Sequence, residues 1–579
     1  MKIKHLFGLA VIAAMAASCS SNEDLGTAGP GTGTNEAGVG YATFTINLPS
    51  VSGTRAADAG GAEMAEGTPE EYKVSTATAL IFQKYGSDEG SYKFVESVTL
   101  PIDGWTDDST PGITTTSKKL VAKLTNVDTK NDYSVLILLN NKNVNLPTVG
   151  QSYNDWNSKN ILTPSVTDWA GSDGFYMANA PLKGSAASPA TLVPIDKNKI
   201  YASEAEANKP TNDCAATVFV ERGVAKMTVA APGTITVKDK ATTKPTKSQV
   251  TFSNWALDIT NKKTFAVHNI DGLSSDFSTI WNTDPSNRFI GTNNRVYWGK
   301  DPNYDKNELK LTDEAVAKRK DEFNFITATS EINKDFTNTT NTNPVYCLEN
   351  TFNLANMYQG QTTRVIFKAT YTPKDDAGNP LADKDGTFYT IGNMKTILNT
   401  DKLKAAVDAV ANPVLPTGYT IDYTNFKTEG SHVITLTDIK DSTGKTLVAD
   451  TDYSGKTGIE IVKEINDKLG LKAGRPEEMV GINTYLKGVT YYIARVKHFG
   501  SLTPWSSGDS YGTDNGKYLG RYGMLRNNWY DLTVGNVYGP GYPGVPPVDP
   551  TQPDDENEKY LSVSVKILSW AKRSDTVDL

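Results

Sequence analysis

Between Tyr41 and Leu48 the apolar side chains fall on every second position: Ala42, Phe44, Ile46 and Leu48 alternate with Thr43, Thr45 and Asn47. Successive strand side chains point to opposite faces, so this period of two predicts a β-strand with one apolar and one polar side. Residues 56–70 drop to low complexity. From Tyr72 onward strand patterns are dense: TATALIFQKY, YKFVESVTL, LVAKLTNV, YSVLILLNNK and ATVFVERGVAKMTVAA. Gly, Asp, Asn and Pro clusters separate them and none carries a helical period, which predicts a sandwich of antiparallel sheets. The run Val135 to Leu139 is apolar on both faces and predicts a central strand.

A second all-β unit begins near Gln249 with VTFSNWALDITNKKTFAVHN. It continues through TTRVIFKATYTP with a hairpin partner expected at DGTFYTIGN, then VTYYIARVKHF and NWYDLTVGNV. Two helical periods interrupt it, one through Leu403, Ala406, Val407 and Val410, the other through Ile459, Val462, Ile465 and Leu469. They predict short helices packed on the sandwich. Trp255, Trp281, Trp298 and Trp529 sit in or beside strands and are expected in the core.

Both ends depart from this pattern. Residues 1–18 have Lys2 and Lys4 before an apolar run too short to span a bilayer, as in a secretory signal. They lead into Ala16-Ala17-Ser18-Cys19, which resembles a lipoprotein cleavage site and makes Cys19 the expected lipidation site. Residues 22–39 read as a flexible Gly/Thr-rich tether. At the other end GPGYPGVPPVDPTQP, 539–553, predicts a semi-stiff arm, because proline lacks the amide donor and fixes φ. An isolated alternating strand follows, with Leu561, Val563, Val565 and Ile567 sharing a face.

Composition removes several function classes. The net charge is −8, with no basic block, which argues against nucleic acid as a partner. Four scattered histidines give little material for a metal site or a hydrolytic triad, so neither a metal nor a cofactor is expected. Cys214 and Cys347 lie far apart and are expected to be free and buried. The segment from Asp450 to Gly455 begins like a calcium loop, but the acidic residue at its end, Glu460, is displaced by one, and a solvated turn is expected.

Several segments coincide with one family: the lipoprotein start with the acidic SSNED behind it, VFVERGVAKM, RVYWGKDPNY, VYCLENT, and RNNWYDLTVGNV followed by a terminal strand. Together they resemble the fimbrillins of Bacteroidales bacteria, in particular shaft subunits of the minor-fimbrium type. The resemblance implies an all-β chain of two transthyretin-like sandwich domains. It divides the sequence at 56–248 and 249–538, with 539–579 as arm and donor strand. It further implies a lipoprotein carried to the outer face of the outer membrane and activated by an arginine-specific protease that cuts between Arg55 and Ala56. Loss of the strand bearing Ala42, Phe44, Ile46 and Leu48 would leave a groove, and a neighbour's Leu561, Val563, Val565 and Ile567 would fill it. The implied partners are further copies of the chain joined head to tail, accessory tip and anchor subunits, and receptors on host or bacterial surfaces. No enzymatic activity is implied; chance carboxylate pairs among 66 acidic residues do not by themselves point to a glycosidase. The competing reading is a monomeric surface lipoprotein that binds glycans, which would need neither terminal device.

Overall fold

The computed structural model describes residues 33–49, 64–65, 67–103, 105, 117–183, 189–276, 295–304, 319–336, 344–351, 353, 356–392, 396–472, 480–499, 518–546, 548, 554 and 561–570, with 64–65 and 561–570 described by their backbone. The chain is all-β with a few short helices. The strands used below are β1 Gly40–Asn47, β2 Met64–Ala65, β3 Ala77–Gln83, β4 Lys93–Thr99, β5 Ser117–Leu124, β6 Tyr133–Leu139, β7 Met177–Asn179, β8 Ile200–Tyr201, β9 Ala216–Arg222 and β10 Val224–Val229. They continue as β11 Thr234–Lys238, β12 Pro245–Asp258, β13 Val345–Leu348, β14 Arg364–Thr372, β15 Phe388–Ile391, β16 Ile482–Tyr485, β17 Val489–Arg495, β18 Asn528–Val537 and β19 Leu561–Trp570. The helices are α1 Tyr153–Asn157, α2 Thr400–Ala411 and α3 Gly458–Leu469.

The N-terminal unit is one sheet in the order β8-β1-β9-β7-β6-β3-β4, with β5 on the other edge of β1. All seven residues of β6 are buried, as its two-sided apolar pattern requires. The sheet folds back on itself: Glu96 of β4 accepts the Thr125 and Asn126 amides just past the end of β5, at 3.0 and 2.9 Å.

The chain changes sheets at Gly223, between β9 and β10. A Cβ at this position would stand 2.6 Å from the Trp169 ring and 2.9 Å from the Tyr176 ring, closer than side chains pack, so only glycine fits. Residues 248 and 249, where the division is expected from sequence, lie inside β12.

The C-terminal unit stacks two sheets, β2-β19-β18-β10-β13 and β11-β12-β14-β17. Met227, Val229 and Leu532 of the first meet Phe252, Trp255 and Phe367 of the second in one core. β14 is paired by β12 on one edge and β17 on the other. It has no edge left for the hairpin expected with DGTFYTIGN; that segment's strand, β15, pairs with β16 instead. Between β15 and β16 lies the helical insert, whose core contains Leu403, Val407, Ile461 and Ile465. In α3 the buried face is set by Ile461 and Ile465, while Ile459, expected inward, is 52% exposed.

The two units repeat one arrangement. β1 lies between the last strand of its unit, β9, in parallel, and β5, antiparallel. β10 likewise lies between β18, parallel, and β13, antiparallel.

Candidate subunit-joining site

β1 is an interior strand held along both edges. It runs antiparallel to β5 from Gly40 opposite Leu124 to Asn47 opposite Ser117. On the other edge β8 pairs with Tyr41 and Ala42, and β9 takes over in parallel from Phe44 opposite Ala216 to Asn47 opposite Phe219. Ala42, Phe44 and Ile46 are 0% exposed and Leu48 is 1% exposed. Their walls are Leu120 and Ala122 of β5 and Ala216 and Val218 of β9. Without β1 these two strands would present unpaired backbone groups above an apolar trench, a template for any strand of matching alternation.

The C-terminal strand lies in its own subunit in the single chain. β19 pairs antiparallel with β18, from Asn528 opposite Ser569 to Val534 opposite Val563, and after an irregularity Leu561 faces Val537. Leu561, Val563, Val565 and Ile567 occupy alternate positions and so share one side of this strand. Its other edge carries β2, parallel, with Met64 opposite Ser569 and Ala65 opposite Trp570.

The start of the arm expected from sequence to be semi-stiff is docked on the C-terminal unit. Tyr542 exchanges two backbone hydrogen bonds with Tyr491 of β17, at 2.9 and 2.7 Å. The Tyr492 and Tyr485 hydroxyls donate to the carbonyls of Gly539 and Gly541, at 2.9 and 2.8 Å, and Arg364 donates to that of Pro546. Proline removes amide donors, yet the carbonyls stay available to side chains, and a Cβ at Gly541 would meet the Tyr491 carbonyl at 2.0 Å. Farther on, Asp554 N donates to the Met357 carbonyl at 3.1 Å.

A buried ionic joint fixes the two units where they meet. Glu71, the residue just after the segment read as low complexity, is fully buried; Lys226 and the Tyr346 hydroxyl both reach it at 2.7 Å. Arg222 donates to the Glu71 carbonyl at 2.9 Å and lies over the Tyr72 ring. Burial pulls the Lys226 ammonium down to about 8 against the attraction of Glu71. Nearby, Glu221 bonds Arg295 at 2.5 Å and His268 at 2.9 Å. Burial works against its charge, but Arg295 and His268 prevail and hold its carboxyl at about 2. Arg526 closes the group on Glu349 at 2.6 Å. Sequence spacing carried no sign of this joint, because its members are far apart along the chain; the one local cue was charge inside apolar runs, as in VFVERGVAKM.

Cys19, Arg55, Ala56 and Trp281 lie outside the described residues. Trp255, Trp298 and Trp529 are buried, as expected. Cys347 is a free thiol pushed up to about 12 by burial, so it does not pair with Cys214. The expectation of two free thiols holds for Cys347 alone. The calcium-like segment is a turn: Asp452 accepts the Gly455 amide at 2.6 Å, and Glu460 caps α3 by accepting the Thr457 amide at 2.8 Å. His498 lies buried against the Tyr530 hydroxyl, 2.7 Å away.

The chain is thus a two-unit β protein whose N-terminal strand β1 is interior and whose C-terminal strand β19 lies between β18 and the two-residue strand β2. Residues 483–576 match the family described as "Major fimbrial subunit protein type IV, Fimbrillin, C-terminal", a stretch that contains β17, β18 and β19. The resemblance to fimbrillins therefore holds at the C-terminal end of the chain, and fimbrillins are structural fimbrial subunits rather than enzymes. No curated protein sequence matches the chain. Among solved structures, the chain is similar to a putative cell adhesion protein from Parabacteroides distasonis, with 10% identity, a TM-score of 0.37, and 92% of this chain and 97% of that one covered. It is also similar to the C-terminally truncated tip fimbrial protein Mfa3 from Porphyromonas gingivalis, with 9% identity, a TM-score of 0.28, and 92% and 100% covered. At these TM-scores neither likeness carries an argument.

Proposed function

We propose that the chain is the repeating shaft subunit of a bacterial surface fimbria, made as an outer-membrane lipoprotein acylated at Cys19 and activated by cleavage after Arg55. The observation that carries this reading is the position of β1: an interior strand, its apolar face buried, at the very end that processing would remove. The matching placement of β1 and β10 supports reading both units as transthyretin-like sandwiches.

Cleavage alone does not empty the groove. Phe44, Ile46 and Leu48 at roughly 1.5–3 kcal/mol each, with about 0.8 kcal/mol for the Ala42 methyl, amount to a gross ~5–10 kcal/mol, and each ladder hydrogen bond adds about 0.5–1.5 kcal/mol. A cut strand held this firmly leaves when a competing strand takes its place. The C-terminal strand of another subunit has the required alternation, at Leu561, Val563, Val565 and Ile567. To donate it, a subunit releases β19 from its own β18 and lifts the arm from β17. The joint links different surfaces of the two partners, so it propagates head to tail into a fibre. Adhesion, biofilm formation and host colonisation are the cellular result, with tip and anchor subunits ending the polymer.

N-terminal sequencing of purified surface polymer tests the processing step. Subunits beginning at Ala56 are expected; a polymer whose subunits begin at acylated Cys19 would overturn strand removal.

A further inference from the structure

β19 is paired on both edges, and its two ends are held differently. Along one edge it follows β18 from Asn528 opposite Ser569 to Val534 opposite Val563, then loses register before Leu561 meets Val537. On the other edge β2 covers the opposite end, Met64 running parallel to Ser569 and Ala65 to Trp570. Strands open from their weakly paired ends. For β19 that end is the irregular one beside the arm, and the end under β2 lets go last.

The chain is pinned on either side of β2. Downstream, the Glu71 carboxylate accepts the Thr68 amide at 3.1 Å and bonds Lys226 of β10 and Tyr346 of β13 at 2.7 Å, while Arg222 donates to the Glu71 carbonyl at 2.9 Å. β10 and β13 belong to the same sheet as β19, so this anchor ties β2 to the sheet whose edge it closes. Upstream, β1 is held along both edges in the N-terminal unit, and Arg55 falls in sequence between β1 and β2. In the uncut chain β2 is tethered at both ends; a cut after Arg55 leaves the Glu71 end alone. A segment tethered at both ends finds its partner strand again more readily than one tethered at a single end, because less conformational freedom is lost on pairing.

We propose that Met64–Ala65 is an autoinhibitory clasp that keeps β19 in its own subunit until the chain is cut upstream. The cut that frees β1 then also loosens β19, so one proteolytic event readies the acceptor groove and the donor strand of the same subunit. The proposal rests on the reading of Arg55 as the processing site and of β19 as the donor. The clasp works through backbone amides and carbonyls, the groups that strand pairing uses. Proline at both positions removes its amides while leaving the segment extended.

The test is hydrogen–deuterium exchange of the full chain, read on peptides covering 563–570 before and after cleavage by an arginine-specific protease. Cleavage is expected to speed exchange there several-fold. In the double variant Met64→Pro, Ala65→Pro, exchange before cleavage is expected to be roughly fivefold faster for each ladder hydrogen bond lost, at unchanged melting temperature, and the cut variant should elongate faster than the cut parent chain. Equal exchange in variant and parent before cleavage, or exchange in the parent that is indifferent to cleavage, would overturn the clasp. Responsive exchange with no polymer from either cut chain would uphold the clasp and overturn the reading of β19 as the donor.

Discussion

Replacing Phe44 by alanine should weaken the precursor and leave the fibre untouched. Phe44 is 0% exposed in the middle of β1, within the core of the N-terminal unit. Truncating a buried phenylalanine to alanine costs about 3–5 kcal/mol, since it removes apolar burial and leaves a cavity. With a urea dependence of ~2 kcal/mol per molar, the precursor midpoint should fall by roughly 2 M. If β1 is absent from the polymer, that loss vanishes there. Val218→Ala is the control: Val218 lies on β9, which forms the groove wall before and after exchange, so its cost of about 1–3 kcal/mol should appear in both states. The assay is urea unfolding of uncleaved chain followed by circular dichroism and fluorescence of the core tryptophans. It is paired with the temperature at which polymer, cleaved and assembled in vitro, dissociates in detergent. If Phe44→Ala lowered fibre stability in step with Val218→Ala, β1 would still be in the fibre and the strand-removal mechanism would be wrong.

Arg55→Ala should leave a full-length, lipidated monomer, visible as one unprocessed band and no filaments; abundant fibres from this variant would contradict the processing site. Val563→Asp should stop assembly by burying an unpaired carboxylate, whereas Ser564→Asp, on the opposite side of the strand, should be milder; equal polymer lengths would rule out this register. Truncation before Tyr560 should abolish fibre extension and, because β19 lies beside β18, also lower the melting temperature. Stability should peak at about pH 4. Glu221, held at about 2 against an ordinary 4.5, contributes stability above pH 4.5 that is lost as pH falls toward 2. Glu89 and Asp301, both raised to about 7 by burial, contribute stability below their ordinary 4.5 and 3.8 that is lost as pH rises through 7. Calorimetry from pH 2 to 8 should show a maximum; a melting temperature rising steadily to pH 8 would contradict these burial effects.

Much of the fold was legible because period-two alternation is a local signal. β1, β6, β14, β17 and β18 fall where their patterns place them, and α2 buries Leu403 and Val407 of its expected face. What was not legible depends on pairing or on single-residue geometry. The bend at Gly223 is hidden inside one apolar run. The partner of β14 depends on which edges are already taken. Carbonyls that proline leaves free let the arm dock on β17, a contact that its reading as a semi-stiff arm does not include. The ionic joint around Glu71 and Glu221 gathers residues whose sequence neighbours give no hint of one another. Ile459 shows the limit of helical spacing, since shifting the buried stripe by two residues to Ile461 leaves the sequence pattern almost equally regular.

Electron cryo-microscopy of purified fibres tests strand exchange most directly, because the site between β5 and β9 holds one strand whose side chains identify it. The expected density there is Leu561, Val563, Val565 and Ile567 of the adjacent subunit, with no density for residues 40–47 of the same chain. A fibre in which Ala42, Phe44, Ile46 and Leu48 of the same subunit still fill that groove would contradict the mechanism.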